Sequence, residues 1–240
     1  MRASNQSEVL SLENASLDGE DFSGLRIRVL SVVSSRLRRC RFRNLRLDDA
    51  SFGGGKAISR FVECSFDGSE INAGGGRARF ERCSFRDCEI QDFFGARVSF
   101  VDCVFSGTIR KSVFYGNALE PGEDWLNEFR GNDFSGARLD DVAFRGGIDL
   151  REQRLPEGAG YLLLGDAAAV VYRVQQRVRE WSDLTLRRNA LATLKDMEMD
   201  LESGQEQLFL QRDLGERGAL GEAWAKVWEE LQRTSSEAEA

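Results

Sequence analysis

The chain has 240 residues, 41% of them apolar, which is enough for a sizeable core and allows one or two domains. Its 40 acidic and 33 basic residues leave a net charge of −7, and it contains no histidine, so the usual general base and a common metal ligand are missing. No apolar run approaches the roughly 20 residues of a membrane span, and the polar start Met1-Arg2-Ala3-Ser4-Asn5-Gln6 predicts no signal peptide, so the cytoplasm is the expected compartment.

In chain order, residues 1–8 are expected to form a flexible N-terminus. From residue 9 to 150 a large residue returns at every fifth position, and the motif itself returns after about twenty. Cys40-Arg41-Phe42, Cys64-Ser65-Phe66, Cys83-Ser84-Phe85 and Cys103-Val104-Phe105 are equivalent. Five residues before each phenylalanine stand Leu37, Phe61, Phe80 and Phe100; after them come Leu47, Ile71, Ile90 and, one place early, Ile109. Leu17-Phe22-Ile27 adds an earlier coil and Phe129-Phe134-Leu139-Phe144 a later one, for about six coils. A helix repeats its apolar face at 3 to 4 residues and a strand at 2, so a sustained period of five is neither. A large inward residue with a small one two places earlier, such as Ala15, Ala50, Cys88 or Ala137, describes a chain that turns a corner every five residues. Phe42, Phe66, Phe85, Phe105 and Phe134 are then structural core.

This pattern resembles the pentapeptide repeat family over residues 9–150. Agreement is good at the two inward positions. Outward, Asp21 and Asp133 keep the family's acid, Glu70 and Glu89 substitute for it, and Arg41, Ser65, Ser84, Val104 and Arg138 replace it. The resemblance implies a mainly β fold, a right-handed quadrilateral parallel β-helix with four five-residue faces per coil. It also implies a surface that binds, since the family's best-known members protect type II topoisomerases and are proposed to imitate the shape and charge of duplex DNA.

The five cysteines all fall at the small inward position and read as buried hydrophobes. With no histidine and no CxxC pair, no metal site or cofactor is expected. Gly53-Gly54-Gly55-Lys56 and Gly74-Gly75-Gly76-Arg77 lack phosphate-loop spacing and read as corner insertions. No catalytic constellation emerges, and the chain is expected not to be an enzyme.

The fourth face, Val32, Phe52, Gly76, Gly95, Phe114 and Phe144, is the irregular one. Insertions leave it after Phe52 and after Phe114. The larger, from Tyr115 to Trp125, carries Pro-Gly turn chemistry, so Glu120, Glu123, Asp124 and Trp125 are candidate partner-binding residues. The alternative for Trp125 is packing of the loop onto the following helical region.

After Gly146-Gly147 and Pro156-Glu157-Gly158 the pattern turns helical, giving an α-helical region over 151–233. Val170, Val174, Val178 and Trp181 share one face, as do Leu191, Leu194, Met197 and Leu201, with Ser182 or Asp183 as N-cap and Gly204 as stop. A third stripe, Leu220, Trp224, Val227, Trp228 and Leu231, either seals the solenoid end or serves as a helical interface with a second copy or another protein. The resemblance implies a possible homodimer through this C-terminal region. Residues 234–240 read as a frayed tail, and the acidic polar face of the third helix argues against a membrane-surface role.

Residues 9–150 hold 22 acidic against 20 basic side chains, so the repeat region gives a DNA mimic no net negative charge. The arginine run Arg36, Arg38, Arg39, Arg41, Arg43 and Arg46 is interleaved with carboxylates such as Asp48, Asp49 and Glu63, which predicts a salt-bridged surface and no direct nucleic-acid binding. The preference for arginine (29) over lysine (4) fits a bacterial source. The expected function is a non-enzymatic protein-binding scaffold or accessory protein with an unidentified protein partner. The alternative is a resistance or self-protection factor that binds DNA gyrase or topoisomerase IV by DNA mimicry.

Overall fold

A computed structural model describes residues 8–116, 127–213 and 218–239. They form two compact units, Met1–Val142 with Arg151–Pro156, and Ala143–Leu150 with Glu157–Ala240.

The first unit is a parallel β-solenoid. Its early coils each contribute two strands: β1 (Val9–Glu13) and β2 (Ser16–Asp18), β3 (Val29–Val33) and β4 (Arg36–Arg38), β5 (Arg46–Gly54) and β6 (Ser59–Val62), β7 (Glu70–Gly74) and β8 (Ala78–Glu81). Then follow β9 (Ser84–Gln91), β10 (Phe94–Gly95), β11 (Val98–Val101), β12 (Val104–Tyr115), β13 (Phe129–Arg130) and β14 (Asp133–Arg145). One sheet stacks β1, β3, β5, β7, β9 and β12, with β10 and β14 also on β12; the other stacks β2, β4, β6, β8, β11 and β13. Register is set by the inward residues, as Leu37, Phe61, Phe80, Phe100 and Phe129 follow one another as cross-strand partners.

Phe22, Phe42, Phe66, Phe85, Phe105 and Phe134 stack ring on ring at 4.9, 5.0, 4.9, 5.0 and 4.4 Å. These levels enclose about five turns, against the six coils expected from the sequence. Three residues before each ring the backbone turns left-handed, at Gly19, Arg39, Glu63, Arg82, Asp102 and Gly131. That conformation costs a non-glycine residue roughly 1–2 kcal/mol, so each corner is held by the packing on either side of it. At Gly107, φ is +91° and an added Cβ would lie 2.2 Å from the Cys88 carbonyl oxygen, so only glycine fits.

The small inward column is Cys40, Cys64, Cys83 and Cys103, all buried and unlinked. The Cys83 thiol donates to the Phe61 carbonyl at 3.4 Å, and Cys88, on the next face, to that of Phe66 at 3.2 Å. The column then changes from thiol to amide. Asn132 Oδ1 accepts from the Cys103 N–H at 3.0 Å, and Asn132 Nδ2 donates to the Phe100 carbonyl at 3.0 Å. Gln153 Oε1 in turn accepts from the Asn132 N–H at 3.1 Å. With the Phe134 N–H bonded to the Arg154 carbonyl, residues Arg151–Pro156 add a further segment to the solenoid beyond the expected boundary at 150.

The second unit holds β15 (Tyr161–Leu164), α1 (Ala167–Arg179), α2 (Leu184–Glu202), β16 (Leu208–Gln211) and α3 (Gly218–Glu239). Asp183 caps α2, accepting from the N–H groups of Thr185 and Leu186. Its core joins Val170, Val174 and Val178 to Leu186, Leu194, Met197 and the α3 stripe. Three features go beyond the sequence reading. The region is not purely helical, because β15 pairs antiparallel with β16. Residues 143–150 belong to it, held by Gln205 Oε1, which accepts from Gly147 and Ile148, and by Gln207 Oε1, which accepts from Leu150. The expected tail from Thr234 continues α3 to Glu239, since Thr234 is buried and Arg177 binds Thr234, Glu230 and Glu237. The expected flexible start, 1–8, is described only at residue 8, the rest lying outside the described residues.

Candidate interaction surface

A flat solenoid face offers alternate side chains to water, so its chemistry is set by which outward residues find partners. Most outward arginines do. Arg39 pairs with Asp18 at 2.6 Å, Arg41 with Asp21 at 2.9 Å, Arg46 with Glu70 at 3.5 Å and Arg110 with Glu89 at 3.8 Å, each linking neighbouring coils. Asp67 accepts from Ser84 Oγ at 2.5 Å and the Arg86 N–H at 2.9 Å, and its carboxyl lies below its usual range because these bonds outweigh partial burial. Hydrogen bonds from Ser23, then Arg41, pull the Asp21 carboxyl down to about 2. The surface is thus laced with ion pairs across coils.

The fourth face is different. Phe93 and Phe94 are consecutive, so only one can face inward. Phe93 is buried, while Phe94 is 44% exposed and meets the Tyr115 ring at 5.4 Å. Beside this pair the glycine runs bring backbones close, as a Cβ on Gly75 would sit 2.2 Å from the Phe94 carbonyl oxygen. Tyr115 also marks the root of the large insertion. There the Asn127 amide donates to the Tyr115 carbonyl at 2.5 Å and to the Gly95 and Ala96 carbonyls at 3.4 Å, and the Asn127 N–H donates to Gly116 at 3.1 Å. The insertion therefore leaves and returns at one clamped point.

Of the residues singled out from sequence, Phe42, Phe66, Phe85, Phe105 and Phe134 are buried in the ring stack. Glu120, Glu123, Asp124 and Trp125 lie outside the described residues. Of the third helical stripe, Trp224, Val227, Trp228 and Leu231 are buried in the core of their own unit, and Leu220 is 49% exposed. Trp224 Nε1 donates to the Arg212 carbonyl at 2.7 Å, whereas Trp228 Nε1 is buried without a partner among the described residues. The exposed Phe94 was missed, although the Phe93-Phe94 doublet carried the signal.

Burial pushes the Cys83, Cys88 and Cys40 thiols up, Cys88 to about 12, and a bond with Cys83 followed by burial raises Cys64, which disfavours the thiolate at these four positions. Among the described residues no group of His, Cys, Asp or Glu could hold a metal ion, and no helix is long and apolar enough to cross a membrane.

No family model and no curated protein matches this sequence. Solved structures similar to it include two trypsin-treated variants of QnrB1, described as a plasmid-mediated fluoroquinolone resistance protein. Each is 14% identical, with 60% of this chain aligned to 79% of the other, at TM-scores of 0.26 and 0.22.

Proposed function

We propose that this chain is a non-catalytic, protein-binding solenoid of the pentapeptide repeat kind, whose partner docks on the fourth face at the clamped root of the 117–126 insertion. The Phe94–Tyr115 pair carries this reading. An exposed aromatic on a rigid β-face, beside a loop root, has the shape and low ordering cost of an interface anchor. The five-residue register and the ring stack support the family.

The topoisomerase-directed alternative draws less support from the surface. A DNA mimic needs a run of unmatched carboxylates, whereas Asp18, Asp21, Glu70 and Glu89 are each matched by an arginine. The deciding experiment is a pull-down of the tagged chain from nuclease-treated host lysate, with Phe94→Ser and a deletion of residues 117–124 in parallel. A partner captured by the intact chain and lost by both variants supports the reading. A partner held equally by all three forms rejects the site, and recovery of gyrase or topoisomerase IV subunits restores the alternative.

A further inference from the structure

Three arginines of one sheet stand outside the ion pairing that links most coils of the solenoid. In β4 and β6, Arg36 and Arg60 are direct cross-strand partners, and Arg38 lies two residues from Arg36 on the same outward side. All three are exposed, and none has a carboxylate or hydrogen-bond partner for its side chain among the described residues. Like charges placed opposite each other destabilise a strand pair. Other bridges oppose unlike charges, as in Asp18 with Arg38, Arg46 with Glu70 and Asp21 with Arg41, and where like charges do meet, at Glu70 with Glu89, each has an arginine partner. Arg79, next in register after Arg60, is neutralised by Glu128 and Glu81, and Asp18, beside Arg38, is held by Arg39. Among the described strand residues of this sheet, the unmatched cations are therefore three guanidinium groups on one flat face, an arrangement that costs stability and gains nothing within the fold.

We infer that Arg36, Arg38 and Arg60 form an anion-docking patch for an acidic, extended segment of a partner protein. Same-side positions on a strand are about 6.8 Å apart and adjacent strands about 4.8 Å apart. An extended peptide lying along β4 presents carboxylates at every second residue with the Arg36–Arg38 spacing, and a third reaches Arg60 across the strand gap. Guanidinium forks bind carboxylates in bidentate fashion, which favours arginine over lysine here. A nucleic acid fits less well. Its backbone asks for a longer basic track, while this patch ends at Asp18 on one side and at Glu81 with its ion pairs on the other. The inference rests on the protein-binding reading for the class of partner but uses a different face.

The test is fluorescence anisotropy with a labelled twelve-residue peptide of alternating glutamate and serine, its glutamine analogue, and a twelve-nucleotide single-stranded DNA. The intact chain is expected to bind the glutamate peptide, not the glutamine analogue, with affinity falling as salt rises. In the Arg36→Ser/Arg38→Ser/Arg60→Ser variant the affinity should fall about tenfold or more, as expected for the loss of three charge-assisted contacts. A control, Arg41→Ser/Arg82→Ser, removes arginines already paired within the fold and should bind as the parent does. The thermal midpoint of the triple variant should hold or rise, which separates lost docking from lost folding. Equal binding by the triple variant, no binding by the parent, or tighter binding of the DNA than of the peptide would overturn the inference. A natural partner that binds the parent and the triple variant alike would end it while leaving the protein-binding reading intact.

Discussion

Phe85 sits in the middle of the ring stack and Phe22 at its end, so truncating each to alanine tests whether stability is carried by ring-on-ring packing. Phe85 is buried and stacks on Phe66 at 4.9 Å and Phe105 at 5.0 Å, both at 4° between planes, with the edges of Phe80 and Phe100 at 5.5 and 6.2 Å. Phe22 is only partly buried and stacks on Phe42 alone, at 4.9 Å. Phe→Ala in a core costs about 3–5 kcal/mol and an aromatic pair adds roughly 0.5–1.5 kcal/mol beyond burial. Phe85→Ala should therefore reach the upper end, about 4–5 kcal/mol, and Phe22→Ala about 2 kcal/mol. At about 2–4 °C per kcal/mol for a chain of this size, the central variant should melt roughly 8–20 °C below the parent. Urea and thermal unfolding followed by far-UV circular dichroism give both values. Equal losses at the two positions, or a loss under about 1 kcal/mol at Phe85, would refute packing along the stack as the source of stability.

Trp224→Phe removes a hydrogen bond to the Arg212 carbonyl and should cost about 1 kcal/mol more than Trp228→Phe, which removes a buried donor with no partner; urea midpoints in the reverse order would contradict this. The Asp21 carboxyl, lowered to about 2 by Ser23 and then Arg41, contributes stability that is present above its ordinary range and lost as pH falls through about 2. A carbon-detected NMR titration of Ser23→Ala should show that carboxyl moving back up, and an unchanged midpoint would discard the Ser23 hydroxyl as a cause, the backbone N–H bond at 3.0 Å being retained. The five buried thiols should resist Ellman's reagent at pH 8 in the native protein and all react after denaturation. One fast-reacting native thiol would show that the column is open to solvent.

The solenoid was legible because every coil makes the same demand at the same place. A ring must meet a ring above and below, so Phe66, Phe85 and Phe105 recur at spacings of 19 and 20, and Phe42 one corner insertion earlier, each with a cysteine two places before it. The two corner insertions were legible as broken spacing, but the docking chemistry was not. Phe94 counts as one more apolar residue until the pleat assigns it outward. The arginine run could be read as a charged stretch, yet which members are matched depends on residues about twenty positions away. In the second unit, the β15–β16 pair joins Tyr161-Leu162-Leu163-Leu164 to a segment far along the chain, and neither strand alternates polar with apolar. The end of α3 looked like a tail because Thr234, Ser235 and Ser236 are poor helix formers, whereas Arg177 reaches across to hold it.

The ring stack also makes the solenoid a ruler. Each level repeats the one below with the same side-chain directions and a rise of about 4.8 Å, the strand spacing. Moving a recognition residue from one coil to the next slides it along the axis by one graduation without turning it. A partner that reads two points on one face thus measures a distance in whole steps. Inserting or deleting a complete coil between those points would detune binding by a fixed increment while leaving each contact chemically unchanged.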